Sequence, residues 1–226
     1  MKVSVVMATL NEEGAIGKVI DDIKRNSQGR ELEVVVVDSS SDRTADIAES
    51  KGAVVIKQPK SGHGIALRAA LLAASGDIIM TTDCDDTYPM DFIPKFLDLI
   101  DKGYDIVAGN RMNRMNRAMP LSNRIANTVF ALIVRVLYGI RTNDVSTGMF
   151  AIKREVVHGV PWETNYSFPA ELIIRSKLAG YKFKQIDIPY RERIGEVTLN
   201  KWRSGKAYLR CFINYRFKLN IDPKLL

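Results

Sequence analysis

Three carboxylates lie close together in the stretch "MTTDCDDTYP", residues 80–89, directly after an apolar run. Asp83, Asp85 and Asp86 would repel one another unless a positive charge lay among them. Asp83 and Asp85 also form an Asp-x-Asp pair, and alternate residues of an extended segment point to the same side. Such a pair can share a hard divalent cation, which takes one or two carboxylates and leaves its other positions to substrate phosphates. A hydrated turn before a helix explains the same residues as well.

A fourth carboxylate, Asp38, ends the apolar run "LEVVVVD" and precedes the hydroxyl-rich stretch "SSSDRT". At the open end of a buried strand, an aspartate can accept a hydrogen bond from a ribose or a nucleobase, and capping of the next helix is the alternative. The turn formed by Gly62 and Gly64 lacks the third glycine of a dinucleotide-binding loop, because Leu67 stands at that position. The sequence therefore does not favour a nicotinamide-dependent dehydrogenase.

Basic residues cluster in two places in the second half of the chain. The loop "NRMNRMNR" contains Arg111, Arg114 and Arg117, and Arg124 follows it. These cations could neutralise a phosphate, or they could form a hydrated basic surface. Residues 201–218 include six basic residues and no acid, with aromatic and aliphatic side chains between them. This pattern is typical of a helix on an anionic membrane surface, and a helix packed on the core would show it too.

The elements that position these residues alternate regularly in the first half of the chain. The runs "VSVVMA", "LEVVVVD", "AVVIK" and "DIIMTTD" predict strands, and the stretches between them predict helices. Asn11 and Ser41 are expected to cap the first two helices. The alternation predicts an α/β fold, with a mostly parallel sheet covered by helices on both faces. Ligands of such sheets bind beyond the carboxyl ends of the strands, where Thr9, Asp38 and Asp83 stand.

The second half is less regular. "YDIVAGNRM", "STGMFAIK" and "FKQIDIPYR" predict further strands, and helices are expected over residues 123–138 and over "AELIIRSKLAG". The sequence contains no linker of proline, glycine and serine, no internal repeat and no low-complexity tract. One domain is therefore expected.

Composition narrows the class of protein. The chain is 46% hydrophobic and 26% charged, which is ordinary for a globular protein, and its net charge of +7 suits a phosphate-rich ligand, a nucleic acid or an anionic membrane. Cys84 and Cys211 have no metal-ligand spacing, so we expect a reducing cytoplasm. The longest apolar run, "TVFALIV", is shorter than the ~20 residues that span a bilayer, so a soluble chain is expected.

Five ordered motifs carry a family resemblance. "MATLNEE", "VVVDSSSDRT", "KSGHGIALRAAL", "TTDCDDTYP" and "GNRM" resemble the family 2 glycosyltransferases of GT-A fold, and among them the dolichol-phosphate mannose synthases and related polyprenyl-phosphate sugar transferases. The likeness implies a catalytic domain over residues 1–205, followed by a basic amphipathic segment of the same domain over residues 206–226. In the relatives a Pro often stands at the position of Ala8, and a Gln at that of Thr87.

The resemblance also implies an activity. We expect an inverting transfer from a nucleotide sugar, with GDP-mannose as the first choice and UDP-glucose as the alternative, to a polyprenyl or dolichyl phosphate. Mg²⁺ or Mn²⁺ is the expected cofactor. The expected location is the cytoplasmic face of a membrane, where the chain would be peripheral and bind the anionic surface, with no nucleic acid as partner.

Residue roles follow from the same resemblance. The residues implied in nucleotide binding are Ala8, Leu10, Glu12, Val36, Asp38, Asp83, Cys84 and Asp85. The catalytic residues are Asp83, Asp85 and Arg111, and the metal ligands are Asp85 and Thr87. The residues implied at the acceptor phosphate are Arg111, Arg117, Arg124, Arg193 and Lys201.

Two other classes of protein compete with this interpretation. A sugar nucleotidyltransferase has a similar sheet, but it would need a glycine-rich basic loop after the first strand, where this chain has "ATLNEE". A non-catalytic module that binds RNA or anionic lipid would leave Asp38, Asp83 and Asp85 without a purpose. A transferase acting on a lipid phosphate needs no general base, because its nucleophile is already an anion. Positioning and charge neutralisation would be its main requirements.

Overall fold

Runs of valine and isoleucine, which favour extended backbone, form the centre of a seven-stranded sheet. The computed structural model describes residues 1–113, 118–195 and 201–217. The strands are β1 (Val3–Thr9), β2 (Leu32–Asp38), β3 (Val54–Lys57), β4 (Ile78–Thr81), β5 (Ile106–Asn110), β6 (Phe150–Lys153) and β7 (Phe183–Asp187). They lie in the order β3-β2-β1-β4-β6-β5-β7.

The direction of the strands brings polar residues to one edge of the sheet. β1 pairs in parallel with β2 and with β4, and its register places Thr9 opposite Asp38. β6 is antiparallel to both of its neighbours, β4 and β5. The predicted α/β class with a mostly parallel sheet is therefore confirmed. The direction of β6 was not predictable from "STGMFAIK", because an apolar run looks the same in either direction.

Helices cover both faces of the sheet. They are α1 (Ile16–Arg25), α2 (Thr44–Ser50), α3 (His63–Ala73), α4 (Ile93–Asp101), α5 (Leu121–Tyr138), α6 (Arg154–Gly159), α7 (Phe168–Leu178) and α8 (Lys201–Phe217). Successive strand residues point to opposite faces. Val5 and Met7 thus join the core under α1 and α4, whereas Val6 joins the core under α3, α5, α7 and α8.

The two predicted helix caps were wrong. α1 begins at Ile16, well after Asn11, which has a left-handed backbone with φ of 57°. The Asn11 side chain instead accepts a hydrogen bond of 2.9 Å from the backbone N–H of Ser41. α2 begins at Thr44, whose backbone N–H and hydroxyl donate to Asp42 over 3.0 and 2.5 Å. Asn11 and Ser41 therefore connect the loops that follow β1 and β2.

The segment predicted to be basic and amphipathic forms α8 over residues 201–217, and one side of it packs against α5. Phe130 of α5 stacks on Tyr208 with ring centroids 5.3 Å apart and meets Phe212 edge-on at 5.6 Å. The Tyr138 hydroxyl donates to the Phe212 carbonyl over 2.5 Å. The core-packed alternative therefore holds for this side of the helix. Within the described ranges, we find no helix with the length and apolar character needed to cross a membrane.

Candidate active site

Asp38 lies at the carboxyl edge of the sheet with both of its oxygens bound. The hydroxyls of Thr9 and Ser40 each donate to Oδ1 over 2.6 Å, and the backbone N–H of Ser40 donates to Oδ2 over 3.1 Å. These bonds join the ends of β1 and β2 and hold the buried carboxylate in one orientation. Each carboxylate oxygen has a second lone pair, so Asp38 can accept a further hydrogen bond from a ligand.

A cavity of about 550 Å³ opens beside Asp38. One wall is the loop after β2, residues 39–42, and the other is residues 57–60 at the end of β3, which include Lys57 and Lys60. Ligand pockets commonly enclose roughly 300–1,000 Å³. The cavity therefore has the size and polarity to take a nucleoside at the place where the sequence predicted a nucleotide-type cleft.

Asp85 is buried and held from two directions. Its Oδ1 accepts the backbone N–H of Thr87 over 3.1 Å and the Thr87 hydroxyl over 2.5 Å. Its Oδ2 accepts Nη1 of Arg193 over 2.7 Å, and Nη2 of the same guanidinium pairs with Glu12. The backbone N–H of Ile194 donates to the Asp85 carbonyl over 3.0 Å, which fixes this segment against the acidic cluster. Arg193 is thus one of the positive charges that the cluster requires.

Asp86 pairs with cations other than Arg193. Lys18 of α1 donates to its Oδ1 over 2.6 Å, and Arg191 lies 3.6 Å from the same atom. The backbone of Asp86 is left-handed, with φ of 62°. Asp86 is therefore a structural anchor for α1.

Asp83 differs from its neighbours, because no side chain among the described residues donates a hydrogen bond to it. Burial and the Asp85 carboxylate raise the pKa of Asp83, while the charges of His63, Arg111 and Arg193 oppose the rise. Gly148 makes room for this carboxylate, since a Cβ there would lie 3.0 Å from Oδ1 of Asp83. Asp83 therefore keeps acceptor capacity for a ligand.

Glu12 completes the acidic group at this edge. Burial raises the pKa of Glu12 to about 7, with Asp85 and Asp83 adding to the rise and Arg193 opposing it. Two of the three carboxyl groups, Glu12 and Asp85, contact the one guanidinium of Arg193. The described residues contain no set of three or more side chains that could hold a metal ion alone. Carboxylate oxygens at this edge would need phosphate oxygens of a ligand to complete a metal site. Such a set of oxygen donors suits Mg²⁺ or Mn²⁺.

Arg111 lies in a buried ion pair. Its Nε and Nη2 donate to the two oxygens of Asp144 over 2.8 and 3.0 Å, and the guanidinium lies 5.2 Å from the Tyr190 ring centroid. Asp144 also accepts Nδ2 of Asn127, on α5, over 2.9 Å. Burial would raise the pKa of Asp144, but the charge of Arg111 and hydrogen bonds from Arg111 and the backbone of Ser146 hold the pKa below its usual value. Asp144 and Asn127 were not predicted from the sequence, and the polar stretch "NDVSTG" is a signal for Asp144 alone.

The remaining residues implied at the site are placed differently. Val36 and Cys84 have side chains buried in the core beneath α1 and α4, so only their main chain could meet a nucleotide. Ala8 and Leu10 are partly exposed at the end of β1. Arg124 is half-buried in the first turns of α5. Arg114, Arg117 and the side chain of Lys201 lie outside the described residues.

The glycines of "KSGHG" have a packing role. Gly62 has φ of +120°, and a Cβ on it would lie 2.2 Å from the Asn165 side chain. At Gly64 the corresponding distance to the Asn165 carbonyl is 2.4 Å, and its backbone N–H donates to Asn165 Oδ1 over 3.0 Å. The turn therefore fits against the loop before α7. His63, exposed between these glycines, is the residue of this turn whose charge acts on Asp83.

The fold is that of the GT-A glycosyltransferases, with carboxylates gathered at the carboxyl edge of the sheet. Residues 4–160 match the sequence model of the family described as "Glycosyl transferase family 2". The chain therefore belongs to the family 2 glycosyltransferases.

Several relatives are similar over most of the chain. The "Dolichyl-phosphate hexose transferase" of Haloferax volcanii is 48% identical over 204 residues, which is 90% of this chain and 89% of that protein. The "Dolichol-phosphate mannosyltransferase" of Pyrococcus furiosus is 30% identical over 93% of this chain and 62% of its own length. Among solved structures, glucosyl-3-phosphoglycerate synthase of Mycobacterium tuberculosis with Mn²⁺, UDP and glucosyl-3-phosphoglycerate gives a TM-score of 0.77 at 25% identity, covering 96% of this chain and 80% of that one.

Proposed function

We propose that this protein transfers a hexose from a nucleotide sugar to dolichyl phosphate or a related polyprenyl phosphate. The observation that carries the proposal is the set of Asp38, Asp83 and Asp85 at the carboxyl edge of a GT-A sheet. The 48% identity to the relative named dolichyl-phosphate hexose transferase supports the acceptor class. The likeness to a relative named dolichol-phosphate mannosyltransferase supports mannose as the transferred sugar. The proposed first donor is GDP-mannose, with UDP-glucose as the alternative.

The donor nucleoside occupies the cavity beside Asp38. Asp38 accepts a hydrogen bond from the base or the ribose, because its neighbours hold the carboxylate in place but leave lone pairs unused. Asp83 is the proposed acceptor for the ribose, because no described side chain donates a hydrogen bond to it. Ala8, Leu10 and Glu12 contribute the wall after β1, and Val36 and Cys84 contribute main-chain atoms.

The donor diphosphate and its metal belong at Asp85. Asp85 is the proposed metal ligand. Thr87 holds the Asp85 carboxylate in position through two hydrogen bonds. A bound Mg²⁺ or Mn²⁺ would supply charge neutralisation to the leaving diphosphate. Asp85 would hold the metal, and Arg193, which donates to Oδ2 of Asp85, would then release that oxygen. Arg193 would become available to a phosphate.

The acceptor phosphate is the nucleophile. One of its oxygens forms a bond to the anomeric carbon of the sugar, the bond from that carbon to the diphosphate breaks, and the electron pair leaves with the diphosphate. A single displacement inverts the anomeric configuration. The proposed phosphate contacts are Arg111, Arg124 and Arg193, with Arg117 and Lys201 from parts that the structure does not describe. Arg111 is held by Asp144, so it acts as a fixed positive charge.

The proposed enzyme works as a peripheral protein on the cytoplasmic face of a membrane. Its nucleotide sugar is water-soluble, whereas its acceptor has a hydrocarbon tail within the bilayer. An anionic membrane surface suits the net charge of +7. Nucleic acid is not a proposed partner.

Product analysis with labelled donors tests this function. Purified protein with Mn²⁺ is given radiolabelled GDP-mannose or UDP-glucose, together with dolichyl phosphate in detergent, free sugars or 3-phosphoglycerate. We expect label on the lipid phosphate alone. Label only on 3-phosphoglycerate would favour the second candidate, a soluble phosphorylated acceptor, which the likeness to glucosyl-3-phosphoglycerate synthase supports. Transfer to the lipid from UDP-glucose alone would identify UDP-glucose as the donor and would still support a polyprenyl phosphate as the acceptor.

A further inference from the structure

The helix α5 exposes a continuous row of large apolar side chains. Leu121, Ile125, Val129, Leu132 and Val136 are 72%, 56%, 47%, 57% and 73% exposed. Their spacing of three or four positions places them on one side of the helix, over a length of roughly 22 Å at 1.5 Å per residue. The opposite side of α5 carries Ala131 and Val134 into the core. An uninterrupted apolar row of this length is unusual on a surface that faces only water.

A second row lies on α8. Trp202, Leu209, Ile213 and Phe217 are 83%, 42%, 44% and 62% exposed, again on one side of the helix. α5 and α8 lie side by side through contacts of Phe130, and both bury their other sides in the same core. Both rows therefore lie on the solvent side of two neighbouring helices, and we name the exposed sides of this helix pair the α5–α8 face.

The charge of the two helices has a single sign. Together they carry seven basic residues and no acidic residue. Arg135, Lys206, Arg210 and Arg216 are exposed around the apolar rows. Apolar side chains on one face, flanked by lysine and arginine, are characteristic of helices that lie in the interface of an anionic bilayer. A second copy of the chain is a poorer occupant, because it would bring two sets of like charges together.

We propose that the α5–α8 face docks on an anionic lipid bilayer, with the α5 row as the principal inserting element and the basic residues of α8 at the headgroups. The proposal deepens the proposed function and rests on its lipid acceptor. Asn127 projects from the buried side of the same helix and binds Asp144, the partner of Arg111. Only the width of one helix, about 10 Å, therefore separates the bilayer from this buried arginine. A phosphate at headgroup depth is brought to the edge of the active site.

Vesicle sedimentation tests the surface with matched variants. The double variant Ile125→Gln and Leu132→Gln removes two exposed apolar side chains from α5 without changing charge. Its control is Leu72→Gln with Leu178→Gln, because those leucines are 59% and 60% exposed on other helices. With vesicles of phosphatidylcholine containing phosphatidylglycerol, we expect the unmodified chain and the control to bind, and the α5 variant to bind at least about tenfold more weakly. Equal binding of the α5 variant and the control would overturn the proposal.

Two further measurements test the role of the basic residues of α8 and the possibility that the face binds a second copy of the chain. Lys206→Gln with Arg210→Gln is expected to remove the preference for anionic over neutral vesicles, and an unchanged preference would contradict the proposed role of α8. Sedimentation velocity of the α5 variant tests whether a second copy of the chain occupies this face. Loss of a dimer with unchanged vesicle binding would assign the face to self-association and contradict the proposal. Vesicle binding is measured without donor or acceptor. Absence of transfer to any polyprenyl phosphate would therefore refute the proposed function while leaving the docking result intact.

Discussion

Nη1 of Arg193 donates to Oδ2 of Asp85 over 2.7 Å, although 108 positions separate the two residues in the chain. The same guanidinium pairs with Glu12, and its Nε is buried without a hydrogen-bond partner among the described residues. The acidic edge of the sheet is thus neutralised by a side chain from a different segment. Whatever binds Asp85 through this oxygen must displace an existing cation.

The first prediction concerns that displacement. Arg193→Ala is expected to raise the affinity for Mn²⁺ in the absence of nucleotide by about tenfold, because the ion no longer competes with a guanidinium for Asp85. Calorimetric titration with Mn²⁺ measures the change. Lys18→Ala is the matched control, since Lys18 is a nearby cation that binds Asp86. A rise of the same size in both variants would show only a general loss of positive charge.

The second prediction separates two neighbouring carboxylates. Asp85→Asn keeps an oxygen that can accept the Thr87 hydrogen bonds but removes the charge that a metal needs. We expect GDP or UDP binding to lose its dependence on Mn²⁺. Asp86→Asn, beside it, is expected to retain that dependence. The comparison is nucleotide affinity in Mn²⁺ and in EDTA, and a retained metal response in Asp85→Asn would argue against the assignment.

The third prediction addresses the nucleoside. Asp38→Ala is expected to weaken nucleotide binding by ~1.5–3 kcal/mol, which is the usual contribution of a hydrogen bond to a charged group. Asp38→Asn retains an acceptor toward Thr9 and Ser40 and is expected to lose less affinity. Circular dichroism checks that both variants are folded. Full affinity in a folded Asp38→Ala protein would place the nucleoside elsewhere.

The fourth prediction concerns the acceptor. Arg124→Ala is expected to lower transfer to dolichyl phosphate by tenfold or more while leaving nucleotide affinity unchanged, because a phosphate anion loses a charged partner. The assay is run in detergent, so that docking on a bilayer does not contribute. Arg135→Ala, later on α5, serves as the control and is expected to keep its transfer rate. Equal rates in the two variants would remove Arg124 from the acceptor site.

The fifth prediction is a pH dependence of stability. Burial would raise the pKa of Glu33, but hydrogen bonds from Ser4 and Ser75 outweigh it and lower the pKa from 4.5 to about 2. The unfolded chain therefore binds more protons than the folded chain between these values, and stability is lost as pH falls through that window. Glu33→Gln is expected to remove about 2–3 kcal/mol of that pH-dependent stability. Urea unfolding above and below pH 4.5 checks it, and identical pH profiles would contradict the prediction.

Contacts between neighbouring strand ends were predictable from the sequence. Thr9 and Asp38 end two apolar runs, and the carboxyl ends of parallel strands meet at one edge. A helix over residues 123–138 was also predictable, although the sequence did not say which of its sides faces water. The caps assigned to Asn11 and Ser41 failed because both residues bind across to another loop.

The sequence by itself determined the α/β class, the strands of the sheet and the carboxylates at their ends, because alternation, apolar runs and turn residues act over short distances along the chain. Only the tertiary structure decided the partners of those residues. Arg193 donates a hydrogen bond to Asp85, which lies 108 positions away in the chain. Arg111 donates to Asp144, which lies 33 positions away. Such pairs depend on how distant segments pack, and composition cannot specify this. A charge near a strand end shows that a partner is needed, and the fold determines which residue supplies it.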